Sequence, residues 1–328
     1  MKYPVEDSEA LARAVWTLRR GGLVAFPTET VYGLGADASN VEAVARIFAV
    51  KGRPADHPLI VHLPGIEGLE RFARKVPPLA WRLAERFWPG PLTLILLRAP
   101  GVSDWVTGKQ DTVGLRVPSH PLALALLEAF GGGVAAPSAN RFGRVSPTTA
   151  AHVEEELDGA VDCLLDGGPC PLGLESTILD LSGTRPRLLR VGAVSRLELA
   201  EVLGELPERA TAQAPRVPGS LPSHYAPATP LRLVAQAEFD ESLRRWQVEG
   251  GKLVVLALRQ ESNLPGVHWV AMPSEPSAYA QVLYARLREA DRMGCRLIVV
   301  EAPPAEVAWE AVLDRLQRAA YKQGPTGG

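Results

Sequence analysis

The chain has few cysteines, few aromatic residues and no large excess of either charge. Its 328 residues include three cysteines, and aromatic residues make up 6%. The cysteines form no C-x-x-C pair and are too few for a disulfide framework, which favours a reducing compartment. The formal net charge is −2, which argues against a general nucleic-acid coat because such proteins carry a large basic excess. A local basic pocket is still compatible with this balance.

Long hydrophobic runs are also missing. No run approaches the ~20 apolar residues that are needed to span a bilayer. Residues 1–7 turn acidic at once and lack the apolar core of a signal peptide. We therefore expect a soluble, cytoplasmic protein. The six histidines show no metal-ligand spacing, so we do not expect a structural zinc site.

The hydrophobic pattern predicts two α/β domains. Over residues 1–206, helix-like apolar faces alternate with about eight strand-like runs, which predicts a domain built on a large mixed sheet. Prolines at six positions from Pro207 to Pro230 predict an extended linker. Four more strand-like runs with helices predict a smaller, mostly parallel α/β domain over 231–322. We expect residues 323–328 to form a frayed tail.

Local patterns predict two helix starts and one loop. Ser39–Glu42 and Ser195–Glu198 both match the capping box, in which a serine and a glutamate satisfy backbone amides reciprocally. Gly33–Ala38 resembles the dinucleotide-binding glycine motif, but polar residues separate it from the preceding strand. We therefore interpret its glycines as allowing tight turning and close packing of a loop.

Three short polar motifs follow apolar runs, a position where loops usually present binding groups. They are Pro27–Gly35 (PTETVYGLG), Lys51–Pro54 (KGRP) and Pro137–Asn140 (PSAN). Two cations and several hydroxyls that converge on one face would suit a polyanion such as a triphosphate. The motifs therefore favour an enzyme.

Each candidate also has a structural interpretation. Lys51 and Arg53 could complement the negative end of the preceding helix, and Ser138–Asn140 could be an ordinary turn. His62, among apolar neighbours, is more typical of a core histidine. Arg116 lies in an apolar strand, where it is either on a solvated face or buried with an anion such as a carboxylate.

Together these motifs resemble the threonylcarbamoyl-AMP synthases, the YrdC-type proteins, in their long two-domain form. The resemblance covers nearly the whole chain, and its segments occur in the family's order: Pro27–Gly35, Lys51-x-Arg53 with Pro58-Leu59, Ser138-x-Asn140, Ser176-Thr177, and Pro218-Gly219 to His224–Pro227. It implies a nucleotidyltransferase that joins L-threonine, bicarbonate and ATP into threonylcarbamoyl-AMP, releasing pyrophosphate, for threonylcarbamoyladenosine modification of tRNA. It also implies a YrdC-type open, twisted mixed sheet, a Rossmann-like second domain and a linker (207–230) that acts as a lid.

The resemblance implies roles for individual residues. Arg116 would grip the carboxylate of L-threonine, and Thr30, His62 and Ser176 would complete that pocket. The ATP-binding residues would be Lys51, Arg53, His57, Thr112, Ser138, Asn140, Ser146, Arg190 and Tyr225. Lys51 and Arg53 would also neutralise charge in the transition state, with no nucleophilic side chain. His57 replaces the family's usual asparagine, so its contact with ATP could be pH-sensitive.

Mg²⁺ is implied as the companion of ATP, held mainly by the phosphates. The product would pass to the downstream tRNA threonylcarbamoyl-transfer machinery, with at most weak direct tRNA contact. Two alternatives are a double-stranded RNA-binding module and a carbamoyltransferase. The near-neutral charge disfavours the first, and the lack of cysteine-rich zinc motifs disfavours the second.

Overall fold

The computed structural model describes residues 2–4, 8–210, 214–260 and 264–321. The chain folds into two compact units, of which the first contains residues 1–142 and 146–220 and the second contains 143–145 and 221–328. The predicted linker, 207–230, is divided between the two units after Ser220. The predicted frayed tail, 323–328, lies outside the described residues.

The first unit alternates short strands with helices. Its strands are β1 (Lys2–Pro4), β2 (Val24–Phe26), β3 (Gly33–Asp37), β4 (Ile60–His62), β5 (Leu92–Leu97), β6 (Thr112–Arg116), β7 (Val134–Ala135), β8 (Cys163–Asp166), β9 (Thr177–Asp180), β10 (Arg187–Arg190) and β11 (Glu208–Arg209). Its helices are α1 (Ser8–Arg19), α2 (Val41–Lys51), α3 (Leu69–Phe72), α4 (Pro78–Phe87), α5 (Asp104–Thr107), α6 (Pro121–Phe130), α7 (Ala150–Leu157) and α8 (Arg196–Leu203).

These strands form one mixed sheet in the order β1-β8-β2-β3-β7-β4-β6-β5-β9-β10-β11. In its centre, β4 is parallel to β6, whereas β5 is antiparallel to β6 and parallel to β9. The prediction of an α/β domain with a large mixed sheet is confirmed.

The central strands present different residues on their two faces because side chains alternate along a strand. In β6, Val113 and Leu115 belong to the main hydrophobic core, so Thr112, Gly114 and Arg116 lie on the opposite face. The apolar residues of that second face form a small separate cluster of Ile60, Ile95, Ile178, Leu189 and Val217. The polar candidates of the central strands therefore share a face with this cluster and not with the main core.

The glycines of Gly33–Ala38 lie in strand β3, so their interpretation as a loop is wrong. β3 runs antiparallel to β2. A Cβ atom added at Gly35 would lie 2.7 Å from Cγ1 of Val134 and 2.8 Å from Cε1 of Phe26. Glycine is required there because the neighbouring side chains leave no room for another one.

The predicted capping box before α8 is confirmed, whereas the one before α2 is wrong. The residue that caps α2 is Asn40, whose Oδ1 accepts a hydrogen bond from the amide of Ala43 at 3.0 Å. The amide and the hydroxyl of Ser39 both donate to Oδ1 of Asp37, at 2.9 and 2.7 Å. Since Asp37 engages Ser39, the next residue takes the capping position.

The second unit is built on a parallel sheet. Its strands β12 (Leu231–Val234), β13 (Leu253–Ala257), β14 (Val267–Ala271) and β15 (Leu297–Glu301) lie in the order β12-β15-β13-β14. Its helices are α9 (Phe239–Val248), α10 (Pro276–Arg292) and α11 (Glu310–Ala320). The predicted smaller, parallel α/β domain is confirmed. In the parts of both units that are described, no helix is long and apolar enough to cross a bilayer.

Candidate active site

The strand register separates the predicted site residues into two groups at opposite ends of the central strands. Thr112 begins β6 and Arg116 ends it. Four residue steps of ~3.3 Å place them about 13 Å apart. The end marked by Thr112 also holds Lys51, Arg53, Ser138 and Asn140, and the end marked by Arg116 also holds His62, Ser176 and Arg190. We call these groups the Lys51 cluster and the Arg116 cluster.

Arg116 is buried and surrounded by oxygen atoms. Its Nε donates to the carbonyl of Gly90 at 3.2 Å, and its Nη1 donates to Oγ1 of Thr30 at 3.0 Å. Its Nη2 lies 2.7 Å from Oε1 of Glu29. Only 3% of Arg116 and 4% of Glu29 is exposed. Arg116 is therefore buried with an anion, which decides between the two interpretations that the sequence left open.

The loop after β2 is shaped by Thr28. The Thr28 hydroxyl donates to the carbonyl of Val31 at 2.6 Å and accepts from the amides of Thr30 and Val31 at 3.2 Å. A hydroxyl that accepts from amides two and three residues further on holds the backbone in a turn. This turn fixes the direction in which Glu29 and Thr30 face Arg116. Sequence reasoning did not assign roles to Thr28 and Glu29, although both lie in the motif that it singled out.

His62 is buried and uncharged near neutral pH. It lies opposite Arg116 in the β4–β6 register, and its ring meets Phe26 edge to face at 5.9 Å. Burial, together with the nearby Arg116 charge, lowers the pKa of His62 to about 3. Its Nδ1 has no hydrogen-bond partner among the described residues. A neutral imidazole at this position can bind a polar group of a ligand but cannot serve as a proton donor at neutral pH.

Ser176 and Arg190 contact each other, although the sequence analysis placed them on different substrates. Arg190 donates from Nη2 to Oγ of Ser176 at 2.9 Å and from Nε to its carbonyl at 3.0 Å. Its Nη1 donates to the carbonyl of Pro218 at 2.9 Å. The hydroxyl of Thr93 lies 2.8 Å from that of Ser176. Arg190 thus joins Ser176 to the first-unit part of the predicted linker.

Ser146 also lies near the Arg116 cluster. Its hydroxyl donates to Oε1 of Glu175 at 2.6 Å, and both residues are buried. Glu175 directly precedes Ser176 in the chain. The structure thus brings Ser146 and Arg190, both predicted to bind ATP, next to a residue predicted to bind threonine. Glu175 was not among the predicted site residues, and only its place next to the Ser176-Thr177 motif points to it.

Lys51 is the last residue of α2 and is buried, with 2% exposed. Its Nζ donates to the carbonyl oxygens of Ser138 and Asn140. Burial and, next, the nearby charge of Arg53 hold the pKa of Lys51 well below its usual range, while Glu156 acts in the opposite sense. Through these contacts Lys51 ties the last turn of α2 to the Ser138–Asn140 segment, and its role in binding a ligand stays a prediction.

Arg53 and His57 both contact the ring of Phe142. The Arg53 guanidinium carbon lies 5.6 Å from the ring centre, and the His57 ring meets it edge to face at 5.1 Å. Nη2 of Arg53 donates to the carbonyl of Pro58 at 2.9 Å. Burial and the Arg53 charge lower the pKa of His57. Phe142 was not predicted, because no sequence pattern links it to the KGRP motif.

Tyr225 lies in the second unit and is buried there. Its ring stacks on Tyr284 at 5.8 Å, and the guanidinium carbon of Arg315 lies 5.1 Å from its centre. Its backbone φ is 60°, a left-handed value that is uncommon for a residue other than glycine. These contacts all lie within the second unit, and the role of Tyr225 beside ATP stays a prediction.

The candidate site carries cations and hydrogen-bonding groups. Among the described residues, no group of three or more His, Cys, Asp or Glu could hold a metal ion. The Lys51 cluster instead combines two cations with hydroxyl and amide groups.

Comparison with known proteins identifies the family. Residues 17–192 match the Sua5/YciO/YrdC family, described as "Telomere recombination", and residues 194–321 match "Threonylcarbamoyl-AMP synthase, C-terminal domain". The threonylcarbamoyl-AMP synthases of Pyrococcus abyssi and Bacillus subtilis are each 39% identical to the chain, covering 92% and 94% of it and 91% and 92% of their own lengths. The crystal structure of P. abyssi Sua5 complexed with L-threonine has a TM-score of 0.90 at 38% identity, covering 98% of this chain and 97% of its own. The chain therefore belongs to the threonylcarbamoyl-AMP synthase family and is an enzyme of the nucleotidyltransferase type.

Proposed function

We propose that the chain joins L-threonine, bicarbonate and ATP into threonylcarbamoyl-AMP and pyrophosphate, using the two clusters for the two larger substrates. The observation that carries this assignment is that buried cations lie at both ends of the same central strands. Arg116 faces oxygen atoms in one cluster, and Lys51 faces carbonyl oxygens in the other. The P. abyssi relative that is so similar in structure is described as a complex with L-threonine, which supports an amino-acid pocket.

In this proposal the Arg116 cluster binds L-threonine. The planar guanidinium of Arg116 suits a carboxylate, which it can hold through two hydrogen bonds. The hydroxyls of Thr30 and Ser176 and the neutral imidazole of His62 offer partners for the remaining polar groups. Since these residues lie at the same end of the central strands, a small ligand could contact all of them.

The Lys51 cluster binds ATP in the same proposal. Lys51 and Arg53 would neutralise phosphate charge, and Ser138, Asn140 and Thr112 would supply hydrogen bonds. Ser146 and Arg190, which lie near Ser176, would act where the two substrates meet. His57 and Tyr225 would also bind ATP in this proposal.

The chemistry requires positioning and charge neutralisation more than covalent participation. The carbamate formed from threonine and bicarbonate attacks the α-phosphorus through its oxygen, and pyrophosphate leaves with the electrons of the broken P–O bond. Fixed cations that face the developing charge lower the barrier of such transfers, typically by several kcal/mol. Mg²⁺ bound to the phosphates would add charge neutralisation, with few ligands from the protein.

The linker and the product complete the proposal. The carbonyl of Pro218 accepts a hydrogen bond from Arg190, and Val217 packs in the apolar cluster on the site's face. The linker could therefore exclude water from the labile carbamate. The product would pass to the machinery that transfers the threonylcarbamoyl group to tRNA.

The direct test is pyrophosphate release by the purified protein with ATP, Mg²⁺ and bicarbonate, with and without L-threonine. Release that requires both threonine and bicarbonate is the expected result. Folded protein that releases no pyrophosphate on adding threonine would contradict the proposal. Tight binding of double-stranded RNA without ATP turnover would then favour the RNA-binding alternative.

A further inference from the structure

Glu29 is a buried carboxylate to which the proposed function assigns no role. Neither of its oxygen atoms accepts a well-directed hydrogen bond from a described residue, although Oε1 lies 2.7 Å from Nη2 of Arg116. Buried carboxylate oxygens are usually satisfied by donors, because leaving them without one is costly. A ligand that donates hydrogen bonds to Glu29 would therefore be stabilised.

The position of Glu29 is fixed by its backbone. Its carbonyl accepts a hydrogen bond from the amide of Leu172 at 2.9 Å, and the Thr28 turn holds the residues on either side. A carboxylate on such a fixed loop is already oriented before a ligand arrives, which reduces the entropy lost on binding.

The described interactions of Glu29 involve one cation and two groups that can titrate. Electrostatic interactions reach it from Arg116, His120 and Cys170, and His62 lies beyond Arg116 on β4. Burial lowers the pKa of His120, raises that of the Cys170 thiol and is the main cause of the low pKa of His62. These three neighbours are therefore uncharged at neutral pH. The remaining pair, Glu29 and Arg116, matches the two opposite charges of a free α-amino acid.

The reaction also needs a proton acceptor at this end of the strands. Free threonine carries an α-ammonium group, which cannot attack carbon until it loses a proton. The neutral His62 is a very weak base because its pKa is about 3. Glu29 is the carboxylate in contact with the arginine that is proposed to hold the amino acid.

We propose that Glu29 is a catalytic residue that binds the α-ammonium group of the threonine held by Arg116 and accepts one of its protons. The inference rests on the proposed function of Arg116 as the carboxylate-binding residue. One N–H bond of the ammonium breaks, its electron pair stays on nitrogen, and the proton binds a carboxylate oxygen of Glu29. The amine then attacks the carbon of bicarbonate, which yields the carbamate and one water molecule. The protonated Glu29 returns its proton to solvent before the next turnover.

A binding experiment tests the ammonium contact. We would measure the affinities of L-threonine and of 3-hydroxybutanoate, which is threonine without its amino group, for the full chain and for Glu29→Gln. The wild-type protein should prefer L-threonine, and Glu29→Gln should lower that preference at least about tenfold. An unchanged preference would overturn the inference. If instead Arg116 does not bind the carboxylate, the Arg116→Ala variant will bind both ligands normally.

A kinetic experiment tests the proton transfer. At neutral pH, Glu29→Gln should lower kcat about 10²-fold, a usual value for loss of a general base. This deficit should shrink as the pH rises through the pKa of the threonine amino group, because the free amine then needs no base. A deficit that stays constant with pH would overturn the catalytic role.

Two further variants serve as controls for these experiments. Asp180→Asn makes the same change at a carboxylate that is also buried and whose Oδ1 accepts from the amide and hydroxyl of Ser182. It should leave both the ligand preference and the pH profile unchanged. Glu29→Asp keeps the carboxylate and should retain the wild-type shape of the pH profile. If Glu29→Gln does not fold, a Glu29→Asp profile that differs from the wild type would overturn the proposal.

Discussion

Arg116 and Lys51, two buried cations of the first unit, are compensated in different ways. Arg116 has a carboxylate 2.7 Å away and two further oxygen partners. Lys51 donates to two carbonyl oxygens. Burial and then the charge of another cation, Arg53, lower its pKa. Arg116 is thus paired with a carboxylate, whereas the described hydrogen bonds of Lys51 are to neutral carbonyl oxygens.

This difference fits the charges of the two proposed ligands. A free amino acid is a zwitterion, so a paired cation and anion match it. ATP is a polyanion, so a site that binds it gains from uncompensated positive charge. Burying a cation without an anion destabilises the protein alone, and the lowered pKa of Lys51 records that cost. Four substitutions test this contrast.

The largest effect is expected from Arg116→Ala, which leaves the Glu29 carboxylate buried without its cation. Removing one partner of a buried ion pair typically lowers the free energy of unfolding by about 3–5 kcal/mol. We expect L-threonine affinity to fall at least about 10²-fold while ATP affinity is largely kept. Calorimetric titration with each ligand measures both effects, and equal loss of the two would contradict the assignment. Arg116→Lys, which keeps the charge but not the planar fork, serves if the alanine variant is unstable.

Lys51→Met should act on the nucleotide. Loss of one fixed cation typically costs about 10²–10³-fold in rate, so kcat/KM for ATP should fall by that factor. The free energy of unfolding of the ligand-free protein should change little, because removal of a buried charge offsets the loss of its hydrogen bonds to two carbonyl oxygens. Chemical denaturation and steady-state kinetics measure the two quantities. The exposed Lys75→Met is the control and should change neither, and a destabilised but fully active Lys51→Met would contradict the comparison.

His62 should make the protein less stable in acid. Its pKa is about 3 in the folded protein and 6.5 in its ordinary state, so between these values the unfolded chain binds more protons. Stability conferred by the neutral ring is therefore complete above about pH 6.5 and falls with pH by up to ~1.36 kcal/mol per unit. His62→Gln should lack this loss, which amounts to about 2 kcal/mol at pH 5. Urea unfolding over a pH series tests this against the exposed His268→Gln, and parallel curves for His62→Gln and the wild type would contradict it.

The smallest effect is expected from Arg190→Lys. Lysine keeps the charge but cannot contact both Ser176 and Pro218 through a rigid fork. We expect the KM of both ATP and L-threonine to rise about tenfold, which corresponds to about 1.4 kcal/mol. Arg187→Lys, at the other end of β10, is the matched control. A change in the KM of ATP alone would place Arg190 with the Lys51 cluster and not between the two clusters.

Much of the fold and part of the site could be predicted because they depend on local patterns. Strand β5 (Leu92–Leu97) and helix α6 (Pro121–Phe130) coincide with apolar stretches that are visible in the sequence. The motif containing Lys51 and Arg53 was identified because two cations and a proline follow a helix. β3 was missed because glycines favour loops, and the requirement for Gly35 comes from the side chains of neighbouring strands.

The element order and the two α/β regions follow from the sequence alone, because apolar periodicity and turn residues act within a few positions. The pairing of Arg116 with Glu29, 87 positions earlier (116 − 29), and the contact of Arg190 with Ser176 depend on the tertiary fold. Apolar periodicity tells which face of a strand is buried but not which strands are neighbours. Strand order and register set those neighbours, and with them which charges are compensated and which are left for a ligand.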